Sequence, residues 1–139
     1  MRSRAALVFV ILAALSLAGG ACAAGGTTRL AIDVWPHGRQ NARGHRHYTL
    51  RCHPATGTVP RPAAACALLD RLESPFAPTP AGTVCPMINL GPAEAHVVGL
   101  VSGRRVDAWL NLVHCGPQRW NRVKAIVPEP ALTVVPPTP

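Results

Sequence analysis

Four cysteines constrain this 139-residue chain more than any other feature. Cys52 and Cys66 flank one short segment, and Cys85 and Cys115 flank a longer one. Four cysteines allow three pairings. The sequential pairing would close loops of about 15 and 31 residues, which the chain-entropy picture values on the order of 3 and 3.7 kcal/mol. A small domain with few aromatics needs such staples, and they persist only in an oxidising compartment.

The beginning of the chain supplies a route to that compartment. Met1-Arg2-Ser3-Arg4 is a basic start, Ala5 to Leu17 an apolar run too short to span a bilayer well, and Gly19-Gly20-Ala21-Cys22-Ala23 a stretch of small residues. Residues 1–23 therefore read as a secretory signal peptide, cut after Ala23. The alternative is lipidation of Cys22, which would anchor the protein to a membrane. A lipoprotein signal usually has Leu three residues before that cysteine, and Gly19 stands there. Secretion as a soluble protein is the expectation. Either route removes Cys22 from the disulfide framework and accounts for the odd fifth cysteine.

Between that leader and the end lies room for one domain, residues 24–127. Thr27 to Trp35 alternates, with Leu30, Ile32 and Val34 on one side, and predicts a half-buried strand. Pro36 to Gly44 is loop, His47 to Cys52 a second strand, and His53 to Pro62 a Pro/Gly loop. Ala63 to Glu73 lacks Gly and Pro; Ala64, Leu68, Leu69 and Leu72 recur at helical spacing. Ser74 to Gly82 holds three prolines and cannot be regular. Ala93 to Val101 and Arg104 to Cys115 form a hairpin candidate around Ser102-Gly103. Trp120 to Val127, with Val123, Ile126 and Val127, predicts a final strand. Pro128 to Pro139 holds five prolines and reads as a disordered or extended tail.

Catalytic chemistry finds no carrier. Ser74 and Ser102, the serines beyond the leader, lie in a Pro-rich loop and a turn, neither within G-x-S-x-G. His53 and His114 adjoin Cys52 and Cys115, but those cysteines have better partners as disulfides. Asp33, Asp70, Glu73, Glu94, Asp107 and Glu129 form no paired-acid motif. His45-Arg46-His47 could offer two imidazoles to a metal, yet no C-x-x-C or H-E-x-x-H accompanies it, so solvated loop histidines are expected. Of 14 basic residues, Arg2 and Arg4 fall in the leader, which leaves 12 against 6 acidic ones. They are scattered without a run or interleaved aromatics, which argues against nucleic-acid binding. The expectation is a protein without cofactor, metal or enzymatic activity.

Cys85-Pro86-Met87-Ile88 remains. Pro86 fixes its own φ and pushes Cys85 toward an extended conformation. Asn89 and Gly91-Pro92 follow, a loop context in which Met87 should be exposed rather than buried in a core. A stiff extended loop bearing an exposed apolar side chain is what a serine protease cleft accepts as substrate.

These residues are similar to a known set. The chain from about Arg29 to Val127 resembles the Streptomyces subtilisin inhibitor family, small exported inhibitors of subtilisin-like serine proteases. Leu30-Ala31-Ile32-Asp33-Val34 looks like its first strand. Tyr48-Thr49-Leu50-Arg51-Cys52 and Ala64-Ala65-Cys66 look like its first disulfide loop. Thr83-Val84-Cys85-Pro86-Met87 is similar to its reactive loop, and Ser102-Gly103-Arg104-Arg105-Val106 to the hairpin that follows. The resemblance implies an α+β fold, an antiparallel sheet of about five strands covered by two helices. It implies disulfides Cys52–Cys66 and Cys85–Cys115 and a homodimer formed sheet to sheet. Thr83, Val84, Cys85, Pro86, Met87, Ile88 and Asn89 would line the protease cleft, with Met87–Ile88 as the reactive bond. The chain departs from the family in its tail, Pro128 to Pro139, which has no family counterpart, and in two places at the loop. Val113 stands where the family places a loop-bracing Asn, and Asn89-Leu90-Gly91-Pro92 is one residue longer on the prime side. Both loop departures predict a looser loop and a complex that decays by hydrolysis. The alternative reading is a disulfide-stapled binding protein, secreted or lipid-anchored, that kept the fold without inhibition.

Overall fold

The first strand shows why the sheet has two unlike faces. β1 (Arg29–Trp35) buries Leu30, Ile32 and Val34 and turns Arg29, Ala31, Asp33 and Trp35 the other way. Its hydrogen-bonding edges are taken by β2 (Arg46–Arg51) on one side and β4 (Asn89–Val101) on the other, both antiparallel. β3 (Thr56–Gly57) extends β2, and β5 (Arg104–Val113) extends β4. The computed structural model thus contains one five-stranded antiparallel sheet in the order β3-β2-β1-β4-β5. It describes residues 26–128 and residue 130. The expected leader 1–23, with Cys22, and all of the expected tail except Pro128 and Pro130 lie outside the described residues.

The β4–β5 hairpin turns at Ser102-Gly103, where φ is 49° and 78°. Two consecutive positive φ values are those of a tight hairpin turn matched to strand twist. The sheet's inner face buries Leu50 from β2, Ala95 and Val97 from β4, and Ala108, Leu110 and Leu112 from β5.

Two helices cover that face. α1 (Pro62–Arg71) starts on a proline, which suits the first helical turn because its missing N–H is unneeded there. It buries Ala65, Cys66 and Leu69. Ala64, expected on the buried face, is exposed. The disulfide explains the rotation: Cys66 must face Cys52 at the end of β2, with Cα atoms 5.6 Å apart. α2 (Gly116–Val123) also begins with a proline in its first turn and packs on β5. Gly116 is required at that corner, since any Cβ would collide with the Asn111 side chain and carbonyl.

The segment Trp120 to Val127, expected as a strand, is the end of α2 and the turn after it. Its β-branched residues suggested a strand, but their spacing is helical. Trp120, Val123 and Val127 lie three and four apart and are all buried. The Ile126 and Val127 amides both donate to the Val123 carbonyl at 2.8 Å, and the Trp120 indole N–H donates to the Val127 carbonyl at 3.2 Å. The fifth strand is instead the two-residue β3, inside the loop expected from His53 to Pro62. There the Thr58 and Val59 amides both donate to the Thr49 carbonyl, and Val59 is buried.

Candidate functional site

β5 ends where the chain must turn into α2. His114 sits at φ 52°, which swings the backbone out of the sheet, and Cys115 follows as the residue before the helix. Three consecutive residues at this corner hold the segment before β4. Val113 pairs with Asn89. The His114 amide donates to the Ile88 carbonyl at 2.9 Å. Cys115, buried against the core, is bonded to Cys85, with Cα atoms 5.1 Å apart. The other expected disulfide, Cys52–Cys66, is also present.

Between those ties the chain stands out from the protein. Met87 is 89% exposed and Val84 94% exposed. Ile88 and Leu90 are exposed as well, so among the described residues four of the five exposed large hydrophobic side chains fall between residues 84 and 90. A leader of this cluster is the local bond from the Ile88 amide to the Pro86 carbonyl, 2.9 Å, which closes a three-residue turn around Met87. The segment is therefore not uniformly extended: it bends at Met87 and projects that side chain from the tip. At its start, the Thr83 amide and hydroxyl both donate to the Pro80 carbonyl, at 3.2 and 2.8 Å.

Among the described residues no side chain outside this segment hydrogen-bonds residues 84–87. Asn111 braces the corner beneath instead. Its side-chain oxygen accepts the Val113 amide at 3.3 Å and packs against Gly116. The support therefore reaches the loop through the backbone of Val113 and His114 and through the Cys85–Cys115 disulfide. Residues 83–90 contain no ionisable side chain and no free thiol, because Cys85 is in a disulfide. Such a segment can be bound, but it brings no acid, base or nucleophile of its own.

A cluster of titratable groups lies on the outer face of the sheet. His47, Asp33, His96 and Trp109 face one another across β2, β1, β4 and β5 in direct register. His45 and His47, considered as a metal pair, both bond the same Asp33 Oδ1, at 2.8 and 3.0 Å. Burial works against ionisation of Asp33, but hydrogen bonds from His47 and His45 outweigh it and hold the carboxyl below its ordinary 3.8. The His96 ring stacks on Trp109 at 4.1 Å, and the Arg39 guanidinium lies 4.4 Å from the centre of the Trp109 ring. These side chains are occupied with one another.

The sequence places Val113 beside the loop, where the family has a bracing Asn, but shows neither its pairing with Asn89 nor the bond from the His114 amide to Ile88. Leu90 was left out of the expected residues 83–89 although Gly91-Pro92 signals a break in the strand right beside it.

Comparison with known proteins adds the following. A family model described as subtilisin inhibitor-like matches residues 26–111. No curated protein matches the chain. Among solved structures, the chain is similar to Streptomyces caespitosus sermetstatin, seen in complex with Bacillus licheniformis subtilisin. The two are 26% identical over 70% of this chain and 97% of that one, with a TM-score of 0.44. The family match takes in β1 to β4, most of β5, the first disulfide and the exposed segment around Met87. The chain belongs to the subtilisin inhibitor-like family.

Proposed function

We propose that the protein is a secreted inhibitor of subtilisin-like serine proteases, acting through a substrate-like loop with Met87–Ile88 as its reactive bond. One observation carries this reading. Met87 is exposed at the tip of a segment tied to residues 113–115 through Cys85, Ile88 and Asn89. A protease cleft binds a strand by backbone pairing and by one anchoring side chain. A segment already held in place loses little freedom on binding, so more of the contact energy is retained as affinity.

Met87 fills the specificity pocket. Thr83, Val84, Cys85 and Pro86 lie along the non-prime side, and Ile88 and Asn89 along the prime side. If the bond is cut, the Cys85–Cys115 disulfide holds one new end, and the bonds to Val113 and His114 hold the other. The retained amine stays beside the acyl-enzyme and can reseal the bond. Inhibition then arises from a stable complex rather than from a reactive group.

The two disulfides fit an exported protein, with residues 1–23 as the leader that is removed. The outer face of the sheet, where Trp35, Val98 and Leu100 are half-buried, serves as the surface on which two copies meet. The test is a titration of subtilisin with the purified mature protein, followed by mass spectrometry. Stoichiometric loss of activity, with any cleavage confined to Met87–Ile88, is the expected result. Full subtilisin activity at a large excess of the protein would refute the reading.

A further inference from the structure

The register of β4 and β5 breaks immediately after the exposed segment. Asn89 pairs with Val113, but the next pair is Glu94 with Asn111. Residues 90–93 therefore stand opposite the single residue Leu112, a large bulge that throws the chain away from the sheet. Leu90 is 50% exposed at its start, whereas Ala93 at its end is already back in the core. Gly91 has φ +130°, a conformation that side chains disfavour, and open space surrounds the position where a Cβ would be. Its amide donates to the Asn89 side-chain oxygen at 2.9 Å, a local turn that pins the backbone between Asn89 and the bulge. The bulge thus holds a leucine partly out in water, three residues beyond Met87. Leu90 takes no part in the core.

We infer that Leu90 is a second anchor, seated in an apolar depression on the prime side of the protease cleft. The inference rests on the inhibitory reading above and extends it. The bulge selects proteases with apolar lining beyond the reactive bond, while Met87 selects by the specificity pocket. A half-exposed leucine that becomes buried on binding contributes mainly to the lifetime of the complex.

Inhibition constants against subtilisin and melting temperatures are measured for the mature protein and for its Leu90→Met, Leu90→Ser and Leu90→Asp variants. Leu90→Met should stay within about twofold of the unaltered protein, because its volume and apolar character are similar. Leu90→Ser should weaken inhibition about tenfold, through faster dissociation, and Leu90→Asp further. Melting temperatures should not move. Adding Met87→Lys to the Leu90→Ser protein should still turn its preference toward trypsin. Equal inhibition by all the Leu90 variants would overturn the second anchor and leave the role of Met87 intact. So would a loss with Leu90→Met as large as with Leu90→Ser, since that marks a backbone effect. No inhibition by the unaltered protein would overturn both readings.

Discussion

The two disulfides enclose very different pieces of chain. Between Cys52 and Cys66, the enclosed loop is mostly exposed but is tied to the body at several points. β3 pairs with β2, the Thr49 amide donates to the Thr58 hydroxyl at 2.8 Å, and Val59 is buried. Between Cys85 and Cys115, most of the enclosed chain is the β4–β5 hairpin, which is held by its own ladder. What the second disulfide adds is a hold on residues 85–87, which the ladder does not reach. The first bond secures structure that its neighbours also secure. The second secures a shape that little else secures, in a segment whose apolar side chains face water. A disulfide can thus serve stability in one region and preorganisation in another, and the other ties on the chain beside it tell which.

The largest expected effect breaks the second region. Replacing Cys85 and Cys115 together by Ala should weaken subtilisin inhibition by about a hundredfold or more, as the segment becomes an ordinary flexible substrate that must be ordered on binding. The experiment compares inhibition constants at a temperature where circular dichroism shows the variant folded. Rapid cleavage after Met87 should accompany the loss. The matching change in the first region, Cys52 and Cys66 together to Ala, should lower stability by about 3 kcal/mol in denaturant titration. Its folded fraction should inhibit normally. If the two double variants lose inhibition equally, the distinction between the regions is wrong.

A smaller change sharpens the account of the loop. Val113 pairs with Asn89 directly beneath the exposed segment. Val113→Asn supplies a side-chain amide there, and it should slow hydrolysis of Met87–Ile88 several-fold in a time course at near-equal inhibitor and protease. An unchanged rate of recovery would show that the ties to His114 and Cys115 already limit the loop's motion.

The smallest effect concerns the outer face. Asp33 titrates below its ordinary 3.8 in the folded protein. A carboxylate of this kind contributes stability that is complete above its unfolded value and is lost as pH falls through the lower folded value. Asp33→Asn should therefore flatten the acid limb of the melting profile below about pH 4. It should leave inhibition at neutral pH unchanged, because Asp33 lies away from residues 83–90.

How much of this was legible in the residues depended on whether local pattern and tertiary demand agreed. β1 was readable because Leu30, Ile32 and Val34 alternate cleanly over a single buried face. The hairpin was readable from Ser102-Gly103. α2 was misread because Val123, Ile126 and Val127 favour strands by type, while their spacing and the proline at the helix start decide for helix. β3 is too short for periodicity to reveal. At the candidate site, exposure of Met87 followed from Pro86 and Gly91-Pro92 on either side. The Cys85–Cys115 tie was legible, but those from Val113 and His114 could not be read, because they are backbone bonds set by register rather than by side-chain identity. The bulge at Leu90 had one signal, Gly91, whose positive φ the structure uses to leave the sheet.

The central claim is that this held segment presents Met87 to the specificity pocket of a protease. It is tested most directly by inhibition constants of the mature protein and its Met87→Lys variant against subtilisin and trypsin, measured side by side. The account predicts that the unaltered protein prefers subtilisin and that Met87→Lys moves the preference toward trypsin by about a hundredfold or more, with melting temperature unchanged. An identical inhibition profile for the two proteins would contradict it.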